Sequence, residues 1–193
     1  MQIWEFTTGP VPGEEPIFPP DFSRNDYGTA LATLYGEFDL PQRDTRWFDD
    51  VSGHQGVWAV GRTIGLDIPN DPTPRPYKFI RLQLTFDGGH AAEVVPFEPW
   101  IDVTSADGPL EVTIPQIQIT PFDNVFSHAV YDIVLQPNRS DETIWIQPRY
   151  CQVYIDEIVV DTICVPEPSS ALGLLAMSLV GLAAYGWKRL RSG

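Results

Sequence analysis

The chain has 193 residues and is strongly acidic, because 26 Asp and Glu residues against 12 Lys and Arg give a formal net charge of −14 at pH 7. Such a charge repels phosphate backbones and anionic lipid, so the composition argues against nucleic acid as a partner. It is compatible with a soluble domain or with binding of divalent cations. Residues 1–164 have the size of one domain with a core of its own, and we predict one domain there.

Alternation of apolar and polar residues with a period of two recurs along residues 1–164, whereas helical periodicity does not. The Pro-rich opening, residues 1–28, is predicted to be partly irregular. The clearest strand is 80–86, which ends at Asp87-Gly88-Gly89. The other predicted strands are 2–7, 29–38, 55–60, 63–68, 110–119 with a break at Pro115, 125–136, 142–147 and 152–160.

These short segments are separated by Gly- and Pro-containing turns, which can connect antiparallel strands. A parallel sheet would need crossover helices, and residues 1–164 contain no amphipathic stretch long enough to form them. No internal repeat of 20 to 50 residues is apparent, which disfavours a propeller or a solenoid. We therefore predict an all-β fold, an antiparallel β-sandwich of jelly-roll type.

One tryptophan is a candidate for glycan stacking. Trp145 alternates with Ile144 and Ile146, so its ring faces solvent if the two isoleucines face the core. An exposed flat indole ring can stack on a sugar ring. The alternative is that the internal tryptophans all fill the core or cover a sheet edge; they are Trp47, Trp58, Trp100 and Trp145.

Residues 153–160 resemble the last strand of jelly-roll carbohydrate-binding modules, in which an acidic pair follows a hydrophobic residue. The resemblance implies that Asp156 helps to hold a structural Ca²⁺. Calcium takes six to eight oxygen ligands, and the sequence shows no further ligand set around Asp156. The alternative is that Asp156 and Glu157 lie in a solvated bend or on an exposed edge.

Two cysteines, Cys151 and Cys164, lie close together in the sequence. In an oxidising exterior they could form a disulfide, which would stabilise the fold by about 2 to 3 kcal/mol. If residues 151–164 form one strand, however, the sulfurs lie roughly 40 Å apart. Pairing therefore requires a hairpin near Asp156-Glu157, and both the paired and the unpaired state remain open.

The sequence contains no recognised catalytic motif: no nucleophile elbow, no HExxH, no CxxC and no phosphate-binding glycine loop. The three histidines, His54, His90 and His128, are far apart without ligand spacing, which favours a chance scatter. We therefore predict a protein that is not an enzyme. The alternative is a polysaccharide hydrolase, because such an enzyme needs only two carboxylates at the right separation.

Three features follow one another at the C-terminus. Pro166-Glu167-Pro168 precedes an uncharged run, residues 171–187, and a basic tail, residues 188–193, contains Lys188, Arg189 and Arg191. At about 1.5 Å rise per residue the run covers roughly 25 Å, so we predict a transmembrane helix. The basic tail should remain in the cytoplasm, which places residues 1–164 outside it.

This order of features resembles the PEP-CTERM sorting signal over residues 165–193. The resemblance implies that an exosortase, a membrane-embedded Cys-dependent transpeptidase, recognises Pro166-Glu167-Pro168 and removes the helix and tail. It further implies a body at the cell surface or in the extracellular matrix, where it is a structural or glycan-binding module near extracellular polysaccharide. The two prolines favour an extended segment, which suits a protease cleft. The alternative is a single-pass membrane protein that is never processed.

An exported protein is expected to carry a secretory signal. Residues 1–9, however, read as a strand entering a turn, with no charged and then apolar leader. We therefore expect an in-frame signal peptide upstream of Met1.

Overall fold

The computed structural model describes residues 1–9, 17–35, 46–71, 73, 75–88, 98–149 and 152–165. Within these ranges the regular structure consists of β-strands alone, thirteen in number. The strands are β1 Gln2–Trp4, β2 Ile17–Phe18, β3 Phe22–Ser23, β4 Leu31–Tyr35, β5 Arg46–Val51, β6 His54–Val60, β7 Thr63–Pro69, β8 Tyr77–Asp87, β9 Trp100–Thr104, β10 Glu111–Pro121, β11 Ser127–Gln136, β12 Asp141–Gln147 and β13 Val153–Val165.

The strands form two antiparallel sheets. The eight-stranded sheet has the order β10-β11-β8-β13-β1-β3, with β6 also pairing with β13 and β5 pairing with β6. The five-stranded sheet has the order β2-β4-β7-β12-β9. The prediction of an all-β, antiparallel fold is therefore confirmed. The predicted helix, residues 171–187, lies outside the described residues, and within those residues no helix is long and apolar enough to span a membrane.

The core lies between the two sheets, because their inward-facing residues belong to one hydrophobic cluster. Leu82 and Leu84 of β8 meet Leu66 of β7 and Ile144 of β12 in this cluster, and all four are fully buried. Burial of each such side chain stabilises the fold by about 1.5–3 kcal/mol. The alternation that predicted strand 80–86 thus reflects one face on the core and one face in solvent.

Pro115, where the sequence predicts a break, lies within strand β10. The pairing of β10 with β11 shifts register between Thr113 and Gln116, but the strand continues to Pro121. Proline lacks the amide hydrogen that a ladder needs, and it is tolerated at a bulge on an edge strand. The predicted break is therefore a bulge within one long edge strand.

Four strands were not predicted. Two of them, β2 and β3, are two-residue strands within the Pro-rich opening, and β5 and β9 lie in segments where the sequence predicts no strand. Strand β5 shows no alternation of buried and exposed residues. Such a strand forms because a neighbouring strand, β6, pairs with it. The two strands are joined by Ser52-Gly53, and both of these residues have a positive φ, 56° and 92°. That conformation suits a two-residue hairpin turn.

Strand β13 continues through Asp156 without a hairpin. Its pairing with β8 shifts register between Ile155 and Glu157, which makes Asp156 a bulge, and the pairing then runs on to Val165. The bend near Asp156-Glu157 that a Cys151–Cys164 disulfide would require is therefore not formed. Cys151 and the side chain of Cys164 lie outside the described residues.

A buried ion pair connects the two sheets. Lys78 of β8 donates to Glu142 of β12 at 2.5 Å, and both side chains are fully buried. The second carboxylate oxygen of Glu142 accepts from Asn70 Nδ2 at 3.1 Å and from the Arg139 amide at 3.3 Å. Burial raises the pKa of Glu142, although the Lys78 charge lowers it. Both carboxylate oxygens have donors, and these bonds offset part of the desolvation cost of the pair.

Replacing Lys78 with Met should destabilise the fold by roughly 3 to 5 kcal/mol, because the Glu142 carboxylate would remain buried without its cation. The matched control is Arg81→Met, which removes the exposed Arg81–Asp132 pair and should cost less than about 1 kcal/mol. Chemical denaturation of the purified variants measures both values. Equal losses in the two variants would contradict the importance of the buried pair.

Candidate functional site

The outer face of the five-stranded sheet presents the candidate site. Trp145 on β12 lies between Ile144 and Ile146, which are fully buried, so its ring is on the outer face as predicted. In the register of the sheet, Trp145 is opposite Gly65 of β7 on one side and Asp102 of β9 on the other. Trp145 is therefore on an interior strand, next to the edge strand β9.

A second aromatic ring lies beside Trp145. The Tyr35 and Trp145 ring centroids are 5.3 Å apart, with an angle of 54° between the ring planes. Both rings extend over Gly65, because a Cβ atom added there would come within 2.8 Å of Tyr35 Cε2 and 2.9 Å of Trp145 Cζ3. Tyr35 is 45% exposed. The absence of a side chain at Gly65 thus allows the two rings to form one aromatic surface, which we call the Tyr35–Trp145 pair.

Polar groups surround the Tyr35–Trp145 pair. The indole Nε1 of Trp145 donates to Thr104 Oγ1 at 2.7 Å, and Thr143 Oγ1 donates to Asp67 Oδ1 at 2.7 Å. The first bond fixes the orientation of the indole. Carboxylate and hydroxyl groups beside a flat aromatic surface can hydrogen-bond the hydroxyl groups of a sugar whose ring stacks on it.

The other internal tryptophans differ from Trp145. Trp58 is buried in the core, and Trp47 is partly buried, with its Nε1 donating to the Phe6 carbonyl at 3.0 Å. Trp100 is the most exposed of them, at 63%. The alternative in which all four fill the core or cover an edge therefore fits Trp47, Trp58 and Trp100, which lies on the edge strand β9, but not Trp145 on the interior strand β12.

Asp156 contacts a histidine. The Nδ1 atom of His54 lies 2.7 Å from Asp156 Oδ2, and its Nε2 atom lies 2.8 Å from Asp123 Oδ2. The ring also stacks on Phe126, with centroids 4.1 Å apart. His54 thus connects the start of β6, the β10–β11 turn and the bulge of β13. The spacing of the histidines in the sequence gives no indication of these contacts of His54.

The arrangement favours the positively charged form of the His54 ring. Both ring nitrogens face a carboxylate oxygen, whereas a neutral imidazole has only one N–H to donate. Burial of the ring lowers the pKa of His54, but hydrogen bonds and charge from Asp123 and Asp156 outweigh it, and the pKa is raised above 6.5. Hydrogen bonds from His54 and from the Phe126 and Val125 amides lower the pKa of Asp123 to about 2.

The carboxylate of Asp156 is therefore bonded to His54, in a bulge rather than a solvated bend. Among the described residues no group of three or more His, Cys, Asp or Glu side chains could hold a metal ion. The Ca²⁺ predicted at Asp156 thus has no described ligand set. The neighbouring Glu157 has a raised pKa, because it is partly buried and lies near the charges of Glu5 and Asp156.

The predicted sorting residues lie outside the described residues: Pro166, Glu167, Pro168, Lys188, Arg189 and Arg191. A family model for the PEP-CTERM protein-sorting motif matches residues 165–189.

The chain carries a PEP-CTERM sorting signal. This signal implies an exported protein that is processed by exosortase. The match covers the C-terminal segment and not the sandwich. Comparison of the whole chain with curated proteins and with solved structures gives no match.

The His54 interactions should make stability depend on pH. Because the pKa of His54 is raised in the folded chain, their contribution is complete below about pH 6.5 and is lost as the pH rises through the folded pKa. The contribution of Asp123 is present above about pH 3.8 and is lost as the pH falls towards 2. The difference in Tm between the wild type and His54→Gln should therefore be largest between about pH 3.8 and 6.5.

Thermal melting from pH 3 to 9 measures this difference. The control is His128→Gln, which replaces a histidine that lies 3.4 Å from Thr85 Oγ1 and not between two aspartates. A difference for His54→Gln that stays constant across the whole range would argue against a charged histidine between the two aspartates.

Proposed function

We propose that the protein is anchored in the membrane through residues 171–187, is released by exosortase at Pro166-Glu167-Pro168, and then resides at the cell surface or in the extracellular matrix. The match of residues 165–189 to the PEP-CTERM sorting motif is the observation that supports this proposal. A jelly-roll order of the strands and a transmembrane helix over residues 171–187 belong to the same proposal.

The sandwich, in this proposal, is a glycan-binding module. The support is the Tyr35–Trp145 pair on the outer face of the five-stranded sheet, together with the carboxylate and hydroxyl groups of Asp67, Thr143 and Thr104. The pair lies on β4 and β12, which are both interior strands, so a polymer that stacks on the rings can extend over the sheet on either side of them. This geometry favours a chain segment of a polysaccharide over a small free sugar.

The charge of the body indicates which polysaccharide it binds. The chain has 26 acidic and 12 basic residues, and the segment after Cys164 contains one of the acids and three of the bases, which leaves 25 against 9. A body with this excess of negative charge repels polyanions. The ligand in our proposal is therefore a neutral polysaccharide of the matrix.

A hydrolase is less well supported. Among the described residues, the two carboxyl groups with a raised pKa are Glu142 and Glu157. Glu142 pairs with Lys78 and Glu157 lies opposite Thr85, and these partners are seven positions apart on β8, or roughly 23 Å. The two carboxylates of a glycosidase lie about 5 to 10 Å apart. Glu142 and Glu157 therefore do not form such a pair.

Processing can be tested by mass spectrometry of the mature protein from its native host. We expect a C-terminus near Pro168, because cleavage at the signal removes the hydrophobic run and the basic tail. Glu167→Ala should retain both, since it alters the recognised tripeptide, whereas Glu157→Ala, within the sandwich, should still be processed. A mature wild-type protein that retains residues 171–193 would contradict the proposal and indicate a permanent anchor.

Glycan binding can be tested by affinity electrophoresis in gels that contain neutral matrix polysaccharide. Trp145→Ala and Tyr35→Ala should each weaken retardation by about tenfold in dissociation constant, because each removes a stacking surface. Phe122→Ala is the matched control, since Phe122 is 60% exposed but lies on the β10–β11 turn of the other sheet. It should behave like the wild type.

Gly65→Ala tests whether the positions of the Tyr35 and Trp145 rings matter for binding, since the variant keeps both rings. The added methyl group would displace both rings without removing either, and the Tyr35 ring has room to move because it is 45% exposed. Retardation should therefore weaken while the melting temperature changes little. Unchanged retardation in all three variants would eliminate this face as the binding site.

A further inference from the structure

Lys78 is the one lysine in residues 1–187, and it is fully buried. The chain has a second lysine, Lys188, in the basic tail, and the other basic side chains before that tail are arginines and histidines. The Lys78 side chain has no exposed surface, although lysine side chains are almost never fully buried unless they are paired. Unlike an arginine, a lysine can lose a proton, and its neutral amine is then a nucleophile. The lysine of the sandwich is thus a nucleophile held in the interior.

Glu142 lies between Lys78 and an asparagine side chain. Its Oε2 accepts from Lys78 Nζ at 2.5 Å, and its Oε1 accepts from Asn70 Nδ2 at 3.1 Å. Because the two oxygens belong to one carboxylate, the two nitrogens are at most about 8 Å apart, and the four-carbon stem of the lysine is flexible. Lys78 is unexposed, Glu142 is 1% exposed and Asn70 is 8% exposed. An amine and an amide thus contact the same carboxylate in a site from which most water is excluded.

The amide nitrogen of Asn70 has more acceptors around it than hydrogens to donate. Its two hydrogens face three oxygens, which are Asn138 Oδ1, the Arg139 carbonyl at 2.6 Å and Glu142 Oε1. A protonated nitrogen with three hydrogens could donate to all three. Nδ2 acquires that third hydrogen when an amine has added to the amide carbon and ammonia is about to leave. The surroundings of Nδ2 therefore stabilise the leaving group more than they stabilise the amide.

We propose that Lys78 and Asn70 become linked by an isopeptide bond, which forms within the folded chain with Glu142 as the general acid and base. The two nitrogens on one carboxylate and the three acceptors around Nδ2 are the observations that support it. The described arrangement corresponds to the state before the bond forms. The inference does not depend on glycan binding or on processing by exosortase, because none of its residues belongs to either site.

The reaction is an exchange of one amide for another. After Lys78 Nζ gives a proton to Glu142, its lone pair attacks Asn70 Cγ, the Nζ–Cγ bond forms, the Cγ–Nδ2 bond breaks, and Nδ2 leaves as ammonia. Two protons pass in turn from Nζ through the Glu142 carboxylate, the first to Nδ2 and the second to the departing ammonia, so that ammonium is released and Glu142 is regenerated. Burial raises the pKa of Glu142, which favours the protonated form that carries these protons. No atom is oxidised or reduced.

The bond joins the two layers of the sandwich. Lys78 is in β8, which belongs to the eight-stranded sheet, and Asn70 directly follows β7, which belongs to the five-stranded sheet. An amide between them is not broken by thiols, whereas a disulfide depends on the redox state of its surroundings. The linked chain thus keeps these two segments together under reducing conditions and in denaturant.

Tryptic peptide mapping of the full-length protein tests the proposal. Trypsin cleaves after lysine and arginine, but not after a lysine whose Nζ is acylated and not before proline, as at Arg75-Pro76. The linked chain should therefore yield one peptide, residues 63–81, that lacks the mass of one ammonia molecule. The unlinked chain yields two peptides, residues 63–78 and 79–81. Complete cleavage after Lys78 in the wild type would overturn the proposal.

Two other products are distinguished by the same map. An imide formed by Asn70 with the backbone that follows it also loses ammonia, but trypsin then still cleaves after Lys78, which would overturn the link. A link from Lys78 to Asn138 would join the peptide of residues 63–81 to that of residues 82–139, and would overturn the assignment of Asn70. The variant Asn70→Ala should restore complete cleavage after Lys78, because it removes the amide that reacts.

Glu142→Gln tests the role of the carboxylate. The variant keeps the size of the side chain but cannot take up a proton from Lys78, so we expect the link to form about a hundredfold more slowly. The assay follows the amount of the peptide of residues 63–81 with time after synthesis of the chain.

The matched control is Asp141→Asn, because Asp141 is the exposed neighbour of Glu142 on β12 and its replacement should leave the rate unchanged. Circular dichroism identifies a variant that does not fold, and in that case the wild-type map and Asn70→Ala decide whether the link exists. Formation of the link in folded Glu142→Gln at the wild-type rate would overturn the role of Glu142.

Discussion

The pairing of β13 with β8 is the interaction on which the rest of the structure depends. It runs from Tyr154 to Val165, and the opposite side of β13 also receives β6 and β1 in succession. One strand therefore joins the N-terminal strand, the β5–β6 hairpin and the middle of the eight-stranded sheet. Because antiparallel pairing fixes which side chains face inward, this register also places the core residues of β13 against the five-stranded sheet.

The bulge of β13 brings one of its side chains into contact with a distant part of the chain. An extra residue in one strand changes the direction of the side chains around it. Here the extra residue is Asp156, and its carboxylate meets His54 instead of following the regular alternation. Through His54 the bulge is connected to Asp123 in the β10–β11 turn. The His54 ring therefore connects three segments that are distant in the sequence: the start of β6, the β10–β11 turn and the bulge of β13.

Much of the fold could be predicted, because the alternation of apolar and polar residues along a strand shows which of its side chains are buried. Strand β8 and the outward direction of Trp145 follow from neighbours in the sequence, and both predictions are confirmed. The partners of these residues could not be predicted in the same way. Tyr35 contacts Trp145, and Asp123 contacts His54, because the order and register of the strands bring these residues together. Strand β5 was missed for the same reason, since its pairing with β6 and not its own pattern makes it a strand.

The aromatic surface and the exit of the chain lie on separate layers of the sandwich. Tyr35 and Trp145 are on the five-stranded sheet, whereas β13, the strand that directly precedes the sorting motif, is in the eight-stranded sheet. The hydrophobic core separates the two layers. In the function that we propose, a polymer bound to the first layer is therefore separated by the core from the strand that precedes the sorting motif, so ligand binding and release from the membrane use different surfaces.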